Sequence, residues 1–461
     1  MSYKIIDTHR IKELVVFTLQ FQLPLSYTSA SATIPVVARL VRKYEPSRAS
    51  PSQQPTAASF PESLEALDVV VYLQGGPGFP CAPVLSNSSI TKELIDRGFD
   101  ILYVDQRGTG LSHPIEADLL QDYVKDTSTE AQLAYLMHFR ADNIVHDCEA
   151  IRSQLGINKW SLLGQSYGGF CSVTYLSMFP QALKQVLITG GIPPINTTVD
   201  EVYTRTYLRT SERNERFYEK FPQNVEKVKQ IAEYLASHTV TLPNGGNLSV
   251  ERFQQLGIMF GATGGTDKLH QLVMKFAYDL DTFGKPTHST LLAVEASHSF
   301  DSNVIYALFQ EAIYMDGNFP TGASDWAADR LRAGKYVYSA KSPLFFTGEM
   351  VFKSMFDDYV ELRKLKLLVY AIHANTKWSK LYDVAVLKTL RNQGEGENVV
   401  PVAAATYFHD QYVDFEVSMR SKALIGGIRQ YITSEFFHNG LRDDPKKILD
   451  HLFMLVSGEV E

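Results

Sequence analysis

The sequence predicts an α/β protein: an eight-stranded, mostly parallel sheet with a mainly helical segment inserted late in the chain. Three observations carry this. Runs rich in β-branched and aromatic residues recur between turn residues: VVFTLQF, PVVARLV, VVVYLQG, ILYVDQ, WSLLGQ, QVLITG, VAAATYF and QYITSEF. The first two alternate, whereas the middle ones are continuously apolar, as strands covered on both faces by helices must be. Helix-period segments such as TEAQLAYLMHFRADNIVHDCEAIRSQLG and SYGGFCSVTYLSMF fall between them.

The two alternating runs read as an edge hairpin leading into the buried strands. After them, KYEPSRASPSQQPTAASFPES is rich in Pro, Ser and Ala and reads as a flexible surface loop without chemistry. Strand signals stop near Asn196 and return near Val400; the intervening sequence is helical and rich in Tyr, Phe and charge. A chain of 461 residues suits one core with an insertion. The expected division is a core in two parts, 1–195 and 358–461, with a helical cap domain at 196–357 arching over the carboxyl edge of the sheet. No repeat of 20 to 50 residues is visible.

Composition excludes several classes. Hydrophobic residues make up 45% and charged residues 21%, ordinary values for a chain that buries a sizeable core. The net charge is −7, with no run of five or six like charges, so a nucleic-acid partner is not expected. Gln20 and Gln22 interrupt the apolar N-terminal stretch, and no uninterrupted 18-residue apolar span exists, so neither a signal segment nor a membrane helix is expected. Cys81, Cys148 and Cys171 cannot all pair and show no metal spacing. They read as reduced thiols, with Cys171 a packing residue and the protein cytoplasmic.

The strongest local signal is GQSYGG at Gly164–Gly169, directly after WSLLGQ and opening the next helix. This is the GxSxG nucleophile elbow of α/β hydrolases. Small residues allow a sharp turn that lifts Ser166 clear of the sheet and places it at a helix N-terminus, where developing negative charge is stabilised. LQGGPG at Leu73–Gly78 sits where such a fold keeps its oxyanion loop; Gly75 or Gly76, with the N–H of Tyr167, are the expected donors. In DQRGTGLS, Asp105 and Arg107 are expected to pair and brace that loop. The stretch lacks the GK[ST] of a phosphate loop.

A serine nucleophile needs a base and an acid to orient it, in the chain order Ser, Asp or Glu, His. His438, in EFFHNGL after the last strand run, is the expected base. His409 is out of order, and His451 lies among Ile448, Leu449, Leu452 and Phe453 as a helix-edge residue. Beyond the seventh run, YFHDQYVD offers Asp410, nearer the strand end, and Asp414 as the alternative acid should a bulge intervene.

QGGPG, DQRGTG, GQSYGGF and FFHNGLR, in this order and spacing, resemble the prolyl iminopeptidases, and RADNIVHDCEAIR, HDQYVDFEVS, EAIY and DWAADR are similar to their longer-chain branch. Gln74 departs from the histidine that many shorter members carry before GGPG. The resemblance implies a serine exopeptidase releasing N-terminal proline through an acyl-enzyme, with no metal or organic cofactor. It implies a peptide substrate with a free N-terminal proline, its amine bound by Glu311 in FQEAIY and Glu349 in FTGEMVF. Chemistry makes a matching demand, since a cation taken out of water needs a carboxylate partner. The residues alone leave open a carboxylesterase or lipase of this fold, or a non-catalytic binding protein.

Overall fold

The computed structural model describes residues 3–29, 32–45, 54–319, 322–340, 342–394 and 399–460. Among these are nine strands: β1 (Tyr3–Ile11), β2 (Leu14–Pro24), β3 (Thr33–Lys43), β4 (Val69–Leu73), β5 (Asp100–Val104), β6 (Trp160–Gln165), β7 (Leu183–Thr189), β8 (Val402–Tyr407) and β9 (Arg429–Thr433). They form one sheet in the order β1-β2-β3-β5-β4-β6-β7-β8-β9. β1 to β3 are antiparallel, β3 meets β5 antiparallel, and every pair from β5 to β9 is parallel.

The expected eight strands thus become nine. The missed one, β1, carries Lys4, Asp7, His9 and Arg10 and is largely exposed. An edge strand protects its unpaired backbone with charge, so it lacks the apolar signature of the others.

The central strands are apolar throughout because both faces are covered. Val69, Val71 and Leu73 of β4 pack with Val145, Cys148 and Ile151 of the helix Ala141–Gln154 and Phe170 of the helix Tyr167–Met178. The alternate residues Val70 and Tyr72 pack on the other face with Leu94, Ile448, Leu449 and Leu452. Burying such side chains contributes roughly 1.5–3 kcal/mol each. The helices supplying the second face are Ser89–Asp96 and Pro445–Ser457. His451 lies on the latter, stacked on Tyr431, a helix-edge role.

Between β7 and β8 no described residue adds to the sheet. This stretch opens with the long helix Val199–Lys220 and remains helical as far as Thr389. Part of it has its own core, built from Phe217, Ile231, Phe253, Phe260, Phe276 and Phe346. Its later residues, including Phe309, Met355, Leu362 and Val369, join the core against the sheet. No helix among the described residues is long and apolar enough to cross a membrane.

Of the stretch read as a flexible surface loop, residues 46–53 lie outside those described. Beyond them Ala57–Ser59 form a short 3-10 turn, and Phe60 packs edge-on against Phe17, ring centroids 5.1 Å apart. An aromatic side chain anchors what composition alone marks as flexible.

The DQRGTG segment is held differently from expectation. Arg107 does not pair with Asp105. Its guanidinium makes a two-pronged ion pair with Asp147 and donates to the carbonyls of Pro24, Leu25 and His138. Asp105 pairs with Arg39 at 2.7 Å and accepts from Cys81 N at 3.0 Å. Both Arg107 and Asp147 are essentially fully buried, and Tyr27 Oη donates to Asp147 at 2.8 Å. Asp147→Ala should therefore cost about 3–5 kcal/mol, because it strands a buried guanidinium. Urea unfolding will measure it, and a change under 1 kcal/mol would mean that the pair does not hold this segment.

Candidate active site

Ser166 occupies the turn between β6 and the helix Tyr167–Met178, with φ 56° and ψ −123°. An L-residue rarely adopts this backbone, and the surroundings enforce it. Ser166 N donates to Thr189 O at 2.9 Å, and the helix starts immediately, with Gly169 N donating to Ser166 O at 2.7 Å. The neighbouring glycine is required by contact: a Cβ at Gly168 would stand 1.9 Å from Leu73 O of β4. The helix could not approach the sheet with any other residue there.

The QGGPG loop lies against the elbow, a Cβ at Gly75 falling 2.9 Å from Ser166 Cβ. Of the three expected oxyanion donors, one is engaged. Gly75 N donates to Gln74 Oε1 at 3.0 Å. Gly76 N makes no hydrogen bond among the described residues, and its φ of 122° is a backbone conformation suited to glycine. Tyr167, as the first helical residue, has no intrahelical acceptor for its N–H. The Gln74 side chain, the departure noted above, also accepts from Tyr72 Oη, and Gln106 Nε2 donates to Gln74 O at 3.0 Å.

His438 and Asp410 meet. His438 Nδ1 is 2.7 Å from Asp410 Oδ2, and both side chains are buried. Asp410 Oδ1 accepts from the N–H groups of Tyr412 and Val413 at 2.8 and 3.1 Å, which fixes the carboxylate plane. The inserted segment holds both loops: His438 N donates to Gly261 O at 3.0 Å, and Gln411 Nε2 donates to Gly257 O at 3.0 Å. Burial pulls the His438 pKa down, but the charge and hydrogen bond of Asp410, with the charge of Glu349, outweigh it and leave it raised.

Asp414 is elsewhere. It caps the helix Phe415–Lys422 by accepting from Val417 N at 3.0 Å and pairs with Arg209 at 2.9 Å and Arg205 at 3.2 Å. His409 shares no cavity with Ser166, which lines one of about 230 Å³ with Gln74, Gly75, Gly76, Phe79, Gln165, Tyr306, Glu349, His438 and Arg442.

The two expected amine ligands part company. Glu349 lines that cavity and accepts from Tyr306 Oη. Among the described residues it has no Lys or Arg partner, and burial pushes its pKa up to about 7, against the opposing pull of His438 and Tyr306. Glu311 lies outside it. Its oxygens accept from Ala327 N and Ala328 N at 3.1 and 3.0 Å, capping the helix Ala327–Leu331, and Oε2 is 3.0 Å from His373 Nδ1. A carboxylate so occupied has few lone pairs left for a substrate cation.

Comparison with known proteins gives the family. A family model described as the alpha/beta hydrolase fold matches residues 68–266. A proline iminopeptidase of Aeromonas sobria is 40% identical over 85% of this chain and 88% of its own length. The chain belongs to the proline iminopeptidase family. A fungal relative, the proline iminopeptidase aneH of Aspergillus aculeatus, is 36% identical over 85% of this chain and 86% of its own. A tripeptidyl aminopeptidase of Streptomyces coelicolor is 28% identical over 28% of this chain and 29% of its own.

Three further residues were given no role by the sequence reading. Tyr306 reaches Glu349, and Arg442 lines the cavity. Gln310 is buried near Glu349 and Tyr314. Gln310 immediately precedes Glu311 in FQEAIY, a motif already singled out, but spacing does not say which of two neighbours turns inward.

Proposed function

We propose that this chain is a serine exopeptidase that releases N-terminal proline from peptides, with Ser166 as nucleophile, His438 as base and Asp410 as the acid that orients it. The observation that carries the reading is Glu349, a carboxylate without a cationic partner among the described residues, in the same small cavity as Ser166 and His438. A buried carboxylate costs stability unless a cation joins it, and a protonated substrate amine is such a cation. The cavity of about 230 Å³ suits one small residue, with Phe79 and Tyr306 packed at 4.9 Å offering aromatic surface to a proline ring. The relatives' names point the same way.

In this mechanism His438 Nε2 takes the Ser166 proton as Oγ attacks the carbonyl of the first residue. The N–H groups of Gly76 and Tyr167 receive the oxyanion. His438 then hands its proton to the departing amine as the C–N bond breaks. Water, deprotonated by the same imidazole, attacks the ester, releasing proline and restoring the serine. The helical insertion, residues 196–357 by the sequence division, serves as the cap that carries Glu349 over the sheet.

Glu349→Gln tests the substrate. It should lower kcat/KM for a proline arylamide by about 10²-fold, the scale of a desolvated charge pair, while sparing a neutral acyl ester. Equal losses on both substrates would count against the assignment. The pH profile gives a second readout. Because burial lifts Glu349 to about 7, it is neutral below that pH, and binding of a cationic amine weakens as pH falls through it. Its negative charge also helps raise His438, so ester hydrolysis by Glu349→Gln should keep its acid limb at lower pH than wild type.

A further inference from the structure

We infer that Arg442 is the carboxylate-binding residue of a leaving-group subsite, and that the preferred substrates are di- and tripeptides with a free C-terminus. The inference rests on the exopeptidase reading above and extends it to the other end of the substrate.

Arg442 lies four residues beyond His438, on the short helix Gly440–Asp443. Its guanidinium donates to two side-chain amide oxygens, Gln74 Oε1 and Gln165 Oε1, each at 3.3 Å, and has no ion-pair partner among the described residues. The acidic neighbour Asp443 is turned away, its oxygens taken by Thr263 and Asn439. A guanidinium positioned by neutral amides keeps its charge unneutralised, together with N–H groups suited to a planar two-oxygen acceptor.

Its location gives that charge a use. Arg442 and Gln74 line the Ser166 cavity and also a second, adjoining groove of about 480 Å³. The groove is bordered by Ser86, Ser88 and Thr91 and by apolar Val84 and Leu85, a mixed surface suited to a short peptide. Glu349 marks where the substrate amine sits, and the leaving amine must depart beside His438, which protonates it. Arg442 and Gln74 are shared by the Ser166 cavity and the groove, whereas Glu349 lines the cavity alone, which puts the guanidinium on the side away from the substrate amine.

Distance limits the peptide. Gln165 Oε1 and Ser166 Cβ each lie 2.9 Å from the position of a Gly75 Cβ, and Arg442 Nη2 is 3.3 Å from the same Gln165 oxygen. These contacts keep the guanidinium within two or three extended residues of the nucleophile, at roughly 3.5 Å per residue. A carboxylate one or two residues past the scissile bond meets it, whereas a long peptide places a neutral amide there.

The test is steady-state kinetics of the full chain on Pro-Ala, its C-terminal amide and a proline arylamide. For the wild type, kcat/KM should be about tenfold higher for the acid than for the amide, carried by KM and shrinking with added salt, as expected of one charge-assisted contact in a wet groove. Arg442→Met should bring that ratio to about one, and Arg442→Lys should keep part of it. The ratio separates recognition from a structural role, since a loosened Gln74 loop would slow both substrates alike. A wild-type ratio near one, or a ratio unchanged in Arg442→Met, overturns the subsite. Failure of the wild type to cleave the arylamide while it cleaves a blocked ester overturns the exopeptidase reading instead, and the subsite with it.

Discussion

Replacing Ser166 with alanine is expected to lower kcat on a proline arylamide by about 10⁵- to 10⁶-fold, the loss seen when a triad acting as a unit is broken. Stoichiometric labelling by a fluorophosphonate should vanish with it. Far-ultraviolet circular dichroism should stay unchanged, because the Ser166 hydroxyl makes no hydrogen bond among the described residues and its N–H remains bound to Thr189 O. A second variant separates chemistry from strain. At φ 56° the serine backbone is held in a region costing about 1–3 kcal/mol for an L-residue. Ser166→Gly relieves that cost but adds backbone entropy to the unfolded chain, about 0.5–1 kcal/mol in the other direction. The net expectation is an inactive protein more stable than wild type by about 1 kcal/mol in urea. A glycine variant less stable than wild type would mean that the elbow is not strained, and an active alanine variant would remove Ser166 from the chemistry.

The elbow was legible in the sequence because its constraint is local. A strand, a one-residue turn and a helix packed against β4 leave room only for glycine at Gly168, and such a demand is written at fixed spacing around Ser166. The same holds for the central strands, where burial on both faces erases polar alternation. β1 was illegible for the complementary reason: an exposed edge owes its strand conformation to pairing with β2, not to its own side chains. Long-range pairings were the least readable. Arg107 seemed matched to Asp105, two residues away, yet its partner Asp147 lies on a helix that packs across the core. Glu311 and Glu349 look alike as isolated glutamates. Only the fold decides that one caps a helix and pairs with His373 while the other faces Ser166. Arg442 closes the FFHNGLR run, but nothing in its spacing separates a side chain that reaches the Ser166 cavity from a plain surface charge.

The choice between Asp410 and Asp414 has the same character, and it yields the second large effect. Asp410→Asn should lower kcat by about 10⁴-fold with little change in KM. The reason lies in the two backbone donors on Oδ1. Tyr412 N and Val413 N require an acceptor, so the asparagine must present its carbonyl oxygen to them and its NH₂ group to His438 Nδ1. Nδ1 then has to accept, the proton moves to Nε2, and the imidazole can no longer take the serine proton. Asp414→Asn removes charge from the pairs with Arg205 and Arg209 but keeps an oxygen for Val417 N. It should cost about 1–3 kcal/mol of stability and leave kcat within a fewfold of wild type. Measuring kcat and the urea midpoint for both variants decides between them. If Asp414→Asn were the one to abolish turnover while remaining folded, the buried 2.7 Å contact between Asp410 and His438 would have to be reassigned to a structural role.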